Sequence, residues 1–90
     1  MRAIQYEKSF KKDFKKAIKQ GKKESDFKKI VTLLVNELPI PDRYRDHSLT
    51  GNYVGHRELH INPDWLLIYK ISDDELLLTL TRTGSHSDLF

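Results

Sequence analysis

Three different spacings of apolar residues follow one another along the 90 residues of this chain. Arg2 to Tyr6 alternates loosely, with Ile4 and Tyr6 on one side, and predicts a brief opening strand. From Lys8 the spacing lengthens. Phe10, Phe14, Ala17 and Ile18 recur at helical intervals while Lys8, Lys11, Lys12, Lys15, Lys16 and Lys19 fill most other positions, the pattern of an amphipathic helix with a cationic outer face. Gly21 ends it. A second helix is expected from Ser25 or Asp26, either of which can cap, because Phe27, Ile30, Val31, Leu34, Val35 and Leu38 form a continuous helical stripe. Pro39 and Pro41 stop it, and the polar run to Asn52 is expected to be a loop carrying Tyr44, Arg45 and His47.

Beyond Gly51-Asn52 the period becomes two, with Arg57, Leu59 and Ile61 facing one way and Glu58 and His60 the other. Trp65 to Ile71 and Glu75 to Thr81 are denser in strand-forming residues, and Ser72-Asp73-Asp74 between them signals a tight hairpin. The order is strand, two-helix hairpin, three-strand antiparallel meander. Two helices packed on one face of a small sheet bury every apolar stripe at once, so the expected class is α+β. The opposite sheet face, carrying His60, is expected to stay open for a ligand.

Length changes little in this picture: a chain of 90 residues makes one domain with a modest core and no separate cofactor-binding unit. Charge changes more. Residues 1 to 29 hold 11 basic and 4 acidic side chains, a net of +7, while residues 30 to 90 hold 5 and 9, a net of −4. The basic part suits an anionic partner such as RNA, although lysine contacts to phosphate carry no sequence information. The chain has no cysteine, which excludes disulfides and thiolate metal sites and fits a reducing cytoplasm. No signal peptide and no apolar run near the ~18 residues of a membrane span are present.

The later part of the chain concentrates chemistry: Asp46-His47, His60 with Asp64-Trp65, and Arg82 through His86 to Phe90. Imidazoles titrate near neutrality, so several of them beside a carboxylate and an arginine can move protons and hold an anion without a cofactor. No metal is expected. His56 and His60 have the i, i+4 spacing of a helical zinc pair, but on a strand they lie about 13 Å apart, and His56 is read as a surface residue. With only four glycines, no phosphate-binding loop is present.

Four fragments, Asp46-His47-Ser48-Leu49-x-Gly51, Gly55-x-Arg57-Glu58-x-His60, Pro63-Asp64-Trp65-x-Leu67-Ile68-Tyr69 and Arg82-Thr83-Gly84-Ser85-His86-x-x-Leu89-Phe90, together resemble the YafQ branch of the RelE/ParE superfamily of bacterial type II toxins. The resemblance spans essentially the whole chain. It implies a ribosome-dependent mRNA endonuclease restrained by a cognate antitoxin. Carried over by motif, His47, His60, Asp64 and His86 match catalytic positions, Arg82 a phosphate-facing arginine, Trp65 the residue after the catalytic aspartate, and Phe90 a closing aromatic. Ser48 departs from the pattern, where relatives often carry proline, and this implies a less rigidly held His47.

Metal-free RNA cleavage needs a base for the 2′-hydroxyl, an acid for the 5′-oxygen and a donor to the phosphorane oxygens. His86 is assigned as the acid and Arg82 as the donor, with His60 or Asp64 as the base and His47 as a second base or phosphate contact. Phe90 offers a stacking face for an unpaired base. Trp65 stands with Phe90 and the Lys11, Lys12, Lys15 and Lys16 face among the substrate-side residues, although a tryptophan beside Leu66, Leu67 and Ile68 is more naturally a packing residue that fixes the Asp64 backbone. Two other functions compete: a gyrase-inhibiting toxin on the same fold and a plain RNA-binding module. Neither needs three clustered proton-transfer groups.

Overall fold

The computed structural model describes residues 1–90. The chain runs β1 (Ala3–Tyr6), α1 (Lys8–Lys19), α2 (Glu24–Val35), β2 (His47–Ser48), β3 (Arg57–Asn62), β4 (Trp65–Ser72), β5 (Leu77–Gly84) and α3 (His86–Leu89), with single 3₁₀ turns at Asp42–Tyr44 and Gly51–Tyr53. The five strands form one sheet in the order β1-β5-β4-β3-β2. The α+β class, the helical hairpin and the β3-β4-β5 meander are as the sequence predicts.

Four features differ. The opening strand pairs parallel with β5 at one edge, a long-range pairing that local periodicity does not encode. His47 and Ser48, expected in a loop, add a fifth strand by pairing with Glu58 and Arg57. The segment after β5 closes into the short α3, whose Ser85 side chain accepts from the Asp88 N–H at 3.2 Å while Asp88 accepts from the Ser85 N–H at 3.1 Å, a reciprocal capping box. Helix α2 begins at Glu24 after Lys23, without the side-chain cap expected from Ser25 or Asp26. Gly21, at φ 92°, turns the chain between the helices in a conformation costly for any side chain.

The larger core lies between the helices and one sheet face, where Phe10, Phe27, Ile30 and Leu34 meet Leu59, Leu67, Leu78 and Leu80. Rings run in series across it, Phe14 to Phe27 at 4.7 Å between centroids and Phe27 to Trp65 at 6.4 Å. The other face is not fully open. Leu89 of α3 seals Leu66 and Ile68, with Leu49 and Tyr53 packed beside them.

Two register shifts set which face each site residue occupies. Strict alternation from Leu78 and Leu80 would turn Arg82 into the helix-side core. Instead Thr81 is an extra residue between the pairs Tyr69–Leu80 and Ile68–Arg82, so Arg82 comes opposite Ile68 on the other face. A second shift at Ile61 leaves His60 opposite Leu66 and Asn62 opposite Trp65.

Candidate active site

Following the pairing across the sheet on the face away from α1 and α2, His47, Glu58, Ile68 and Arg82 form one row and His60, Leu66 and Gly84 the next. Gly84 leads directly into Ser85 and His86. Adjacent strands are ~4.8 Å apart, so the backbones bearing His60 and Gly84 stand roughly 10 Å apart with Leu66 between them. His47 and His60 thus flank one side of an apolar strip, and Arg82, His86 and Phe90 flank the other.

His47 is pinned from two sides. Its Nδ1 lies 2.7 Å from the Arg45 carbonyl and its Nε2 3.4 Å from Glu58 Oε1. Glu58 is 5% exposed, and its other oxygen, Oε2, has no protein partner. A buried carboxylate is retained at a cost unless it serves a neighbour. Glu58 is not among the site residues the sequence singles out; its alternation onto the His60 face is the available signal, but the pairing of β2 with β3 that brings His47 to it is long-range. Beneath His47 the preceding residue is anchored as well. Asp46 accepts from Arg57 Nη2 at 3.0 Å and Nε at 3.1 Å and from the Tyr69 hydroxyl. Burial, followed by that hydrogen bond to Asp46, raises the Tyr69 hydroxyl well above the ordinary phenol value, while Asp46 raises Arg57. Arg57 Nη1 also donates to Ser48 Oγ at 2.8 Å. The serine that departs from the family pattern is therefore itself bonded, and His47 is held by its own two contacts rather than by a proline.

On the opposite flank, the Arg82 guanidinium is shared. Its Nε donates to Asp13 Oδ2 at 2.5 Å and its Nη2 to Asp13 Oδ1 at 3.3 Å, which raises its pKa, and Nη1 lies 3.5 Å from the Tyr53 hydroxyl. Asp13 also accepts the Thr83 N–H at 3.2 Å, so α1 braces the end of β5. The fork expected to serve phosphate is thus occupied on two nitrogens. His86 is exposed on α3, its ring 5.1 Å from that of Phe90, and Phe90 in turn meets Tyr53 edge-on at 6.1 Å. Phe90 keeps 58% of its surface exposed. His56, read as a plain surface residue, belongs to the same aromatic chain through Tyr53 at 5.9 Å.

Two expected residues and part of the lysine face stand elsewhere. Asp64 is exposed in the β3–β4 turn, where its N–H donates to Asn62 Oδ1 at 3.1 Å; its carboxylate is bonded to none of the histidines. Trp65 is corrected as a substrate contact. It is 0% exposed on the helix side of β4, among Phe14 and Phe27, because its neighbours in the strand alternate and the larger core takes the larger ring. The lysine face divides. Lys16 reaches Asp88 at 3.5 Å and so touches α3, Lys12 and Lys15 face solvent, and Lys11 lines a groove of about 560 Å³ over Phe10, Phe14 and Phe27 on the helix side. No three His, Asp or Glu side chains converge to hold one metal ion, and no helix is long and apolar enough to cross a membrane.

The chain matches known proteins over essentially its whole length. Residues 2–90 match the family of the YafQ bacterial toxin of type II toxin-antitoxin systems. The mRNA interferase toxin YafQ of Escherichia coli K12 is 46% identical over 90 residues, covering 99% of this chain and 96% of that protein. The toxin in the solved E. coli DinJ-YafQ toxin-antitoxin complex superposes with a TM-score of 0.89 at 46% identity, covering 99% of this chain and 97% of that one. A metal-bound toxin from Helicobacter pylori superposes at 0.93 with 42% identity over 100% of both chains. A family match over residues 2–90, 46% identity to the E. coli toxin and a shared fold leave one assignment: this chain belongs to the YafQ family of bacterial type II toxins.

Proposed function

We propose that this toxin is a ribosome-dependent mRNA interferase that cleaves by metal-free acid/base chemistry. The observation that carries the reading is the placement of histidines on both flanks of the Leu66–Ile68 strip. In-line attack by a 2′-hydroxyl forms one P–O bond while the bond to the 5′-oxygen, on the far side of phosphorus, breaks, so the base and the acid must stand on opposite sides. His60 takes the 2′-hydroxyl proton, and His86 returns one to the departing 5′-oxygen. The products are a 2′,3′-cyclic phosphate and a 5′-hydroxyl. The Arg45 carbonyl at Nδ1 and Glu58 at Nε2 are both acceptors, so His47 with both contacts made has no lone pair free for a base and serves as the phosphate contact.

Arg82 contributes through the Nη1 edge that Asp13 leaves free, donating to the phosphorane oxygens. Phe90 stacks an unpaired base beside His86. Asp64, exposed in the β3–β4 turn with its carboxylate bonded to none of the histidines, is the weaker candidate for the base. Lys16, Lys12 and Lys15 attract the RNA backbone along α1. A cognate antitoxin, as DinJ is to YafQ in E. coli, is the protein partner, and action on translated message places the toxin in the cytoplasm.

The strip is shallow and short, so it aligns a flexible strand poorly by itself. Alignment is worth ~7 to 11 kcal/mol of barrier, and a ribosome that holds the message in a fixed path supplies it. The test is mapping of new RNA 5′ ends after expression, with and without translation. Cuts confined to translated message, bearing 5′-hydroxyls and insensitive to EDTA beyond its effect on ribosomes, are expected. Intact message with inhibited gyrase, or rapid cleavage of purified RNA by the free protein, refutes the reading.

A further inference from the structure

A groove of about 590 Å³ opens beside His60 and takes no part in the proton transfers above. Its walls are the start of α2, the 3₁₀ turn ending in Tyr44, and the end of β3. β2 covers β3 only at Arg57 and Glu58, so the strand is a free edge from there to Asn62. Lys29, Arg43 and Arg45 line the groove against one carboxylate, Asp26, and none of the three cations is in an ion pair. Arg43 lies over the Tyr44 ring at 4.7 Å and donates to its hydroxyl at 3.0 Å, which holds the guanidinium flat. Arg45 sits in the left-handed region at φ 53° and its carbonyl meets His47 Nδ1. The backbone of Arg45 is thus tied to the catalytic histidine while its side chain lines the groove.

We propose that this groove binds the phosphate backbone of single-stranded RNA where the message continues past His60, with Lys29, Arg43 and Arg45 as the phosphate contacts. The inference rests on the nuclease reading and extends it to a binding subsite. An acidic peptide suits the groove less well. Of its apolar lining residues Tyr44 and Ile61 are only 8% and 6% exposed and Pro63 alone is open to solvent, so few apolar side chains could grip an amphipathic segment, whereas a phosphodiester needs donors alone. His60 lines the same groove and faces the strip, so a strand held there is delivered to the site.

The test uses the full-length toxin and the variants K29Q, R43Q, R45Q and their combination, checked for fold by circular dichroism. A fluorescent single-stranded RNA, 2′-O-methylated throughout so that no attacking hydroxyl exists, is titrated by anisotropy at several salt concentrations. The triple variant is expected to bind at least about 10-fold more weakly at 0.1 M salt, with a log–log salt slope shallower by about 2, near 0.7 per lost phosphate contact. Wild-type affinity and slope in the triple variant overturn the proposal. So does unchanged oligonucleotide binding with lost affinity for vacant ribosomes, which assigns the groove to ribosomal RNA, or with lost affinity for the antitoxin, which assigns it to protein. Wild-type toxin that binds the oligonucleotide through these residues yet cuts no translated message supports the groove and sinks the nuclease reading.

Discussion

On the helix side of the sheet, four phenylalanine and tryptophan rings and sixteen other side chains interdigitate, with Ile30, Leu59, Trp65, Leu67, Leu78 and Leu80 wholly out of solvent. On the other side only Leu66, Ile68 and Leu89 are buried as a cluster, and around them stand His47, His60, Arg82 and His86. The first face holds the fold and the second presents the polar groups on which the proposed chemistry depends. The difference also runs along the second face itself. His47 is fixed by Arg45 and Glu58, whereas His86 rides on one helical turn anchored by Leu89 and a capping box. Stability and chemistry are thereby separable by mutation.

The largest effect that should break the comparison is Trp65→Ala. Emptying the site of a fully buried indole commonly costs ~3 to 5 kcal/mol, a large share of the stability of a small domain. Its Nε1 has no hydrogen-bond partner, so packing alone is lost. Urea unfolding should show the full drop; an unchanged midpoint would place Trp65 outside the core. Activity lost in this variant reports the fold and not the chemistry.

His86→Ala should do the reverse. The side chain is exposed and buries little, so stability should stay within about 0.5 kcal/mol, while cleavage of ribosome-bound message falls by ~10²- to 10⁴-fold, the usual worth of general acid catalysis. A folded His86→Ala toxin that cuts at the wild-type rate removes His86 from the mechanism.

The smallest effect concerns the anchor of α3. The backbone N–H and side chain of Ser85, aided by Lys16, hold Asp88 below the ordinary carboxylate value of 3.8. A depressed folded pKa means that the ionised carboxylate stabilises the turn above the unfolded value, and that this is lost only as pH falls through the lower, folded one. Acid titration followed by NMR should show the Phe90 and Leu89 signals holding their neutral-pH positions through the ordinary carboxylate range and shifting only below it. Asp88→Asn should loosen the turn already at neutral pH and abolish the transition. A transition that persists in Asp88→Asn would assign it to another group.

What the sequence determined by itself was whatever rests on local periodicity. The stripes Phe10-Phe14-Ala17 and Phe27-Ile30-Val31-Leu34 required two helices with one common apolar partner, and the alternation at Glu58-Leu59-His60-Ile61 put His60 on the face away from them, because period and side-chain direction are properties of neighbouring residues. The tertiary structure decided what depends on residues far apart in the chain. Thr81 as an extra residue moves Arg82 to the face away from the helices, yet an extra residue is defined only against the partner strand. His47 and Glu58 meet because two residues of an apparent loop pair with β3, and Asp13 captures Arg82 from 69 positions away. The fate of Trp65 was likewise settled by which face of β4 the helices cover, since an aromatic at a strand start serves a core and a ligand equally well until the layers are assembled.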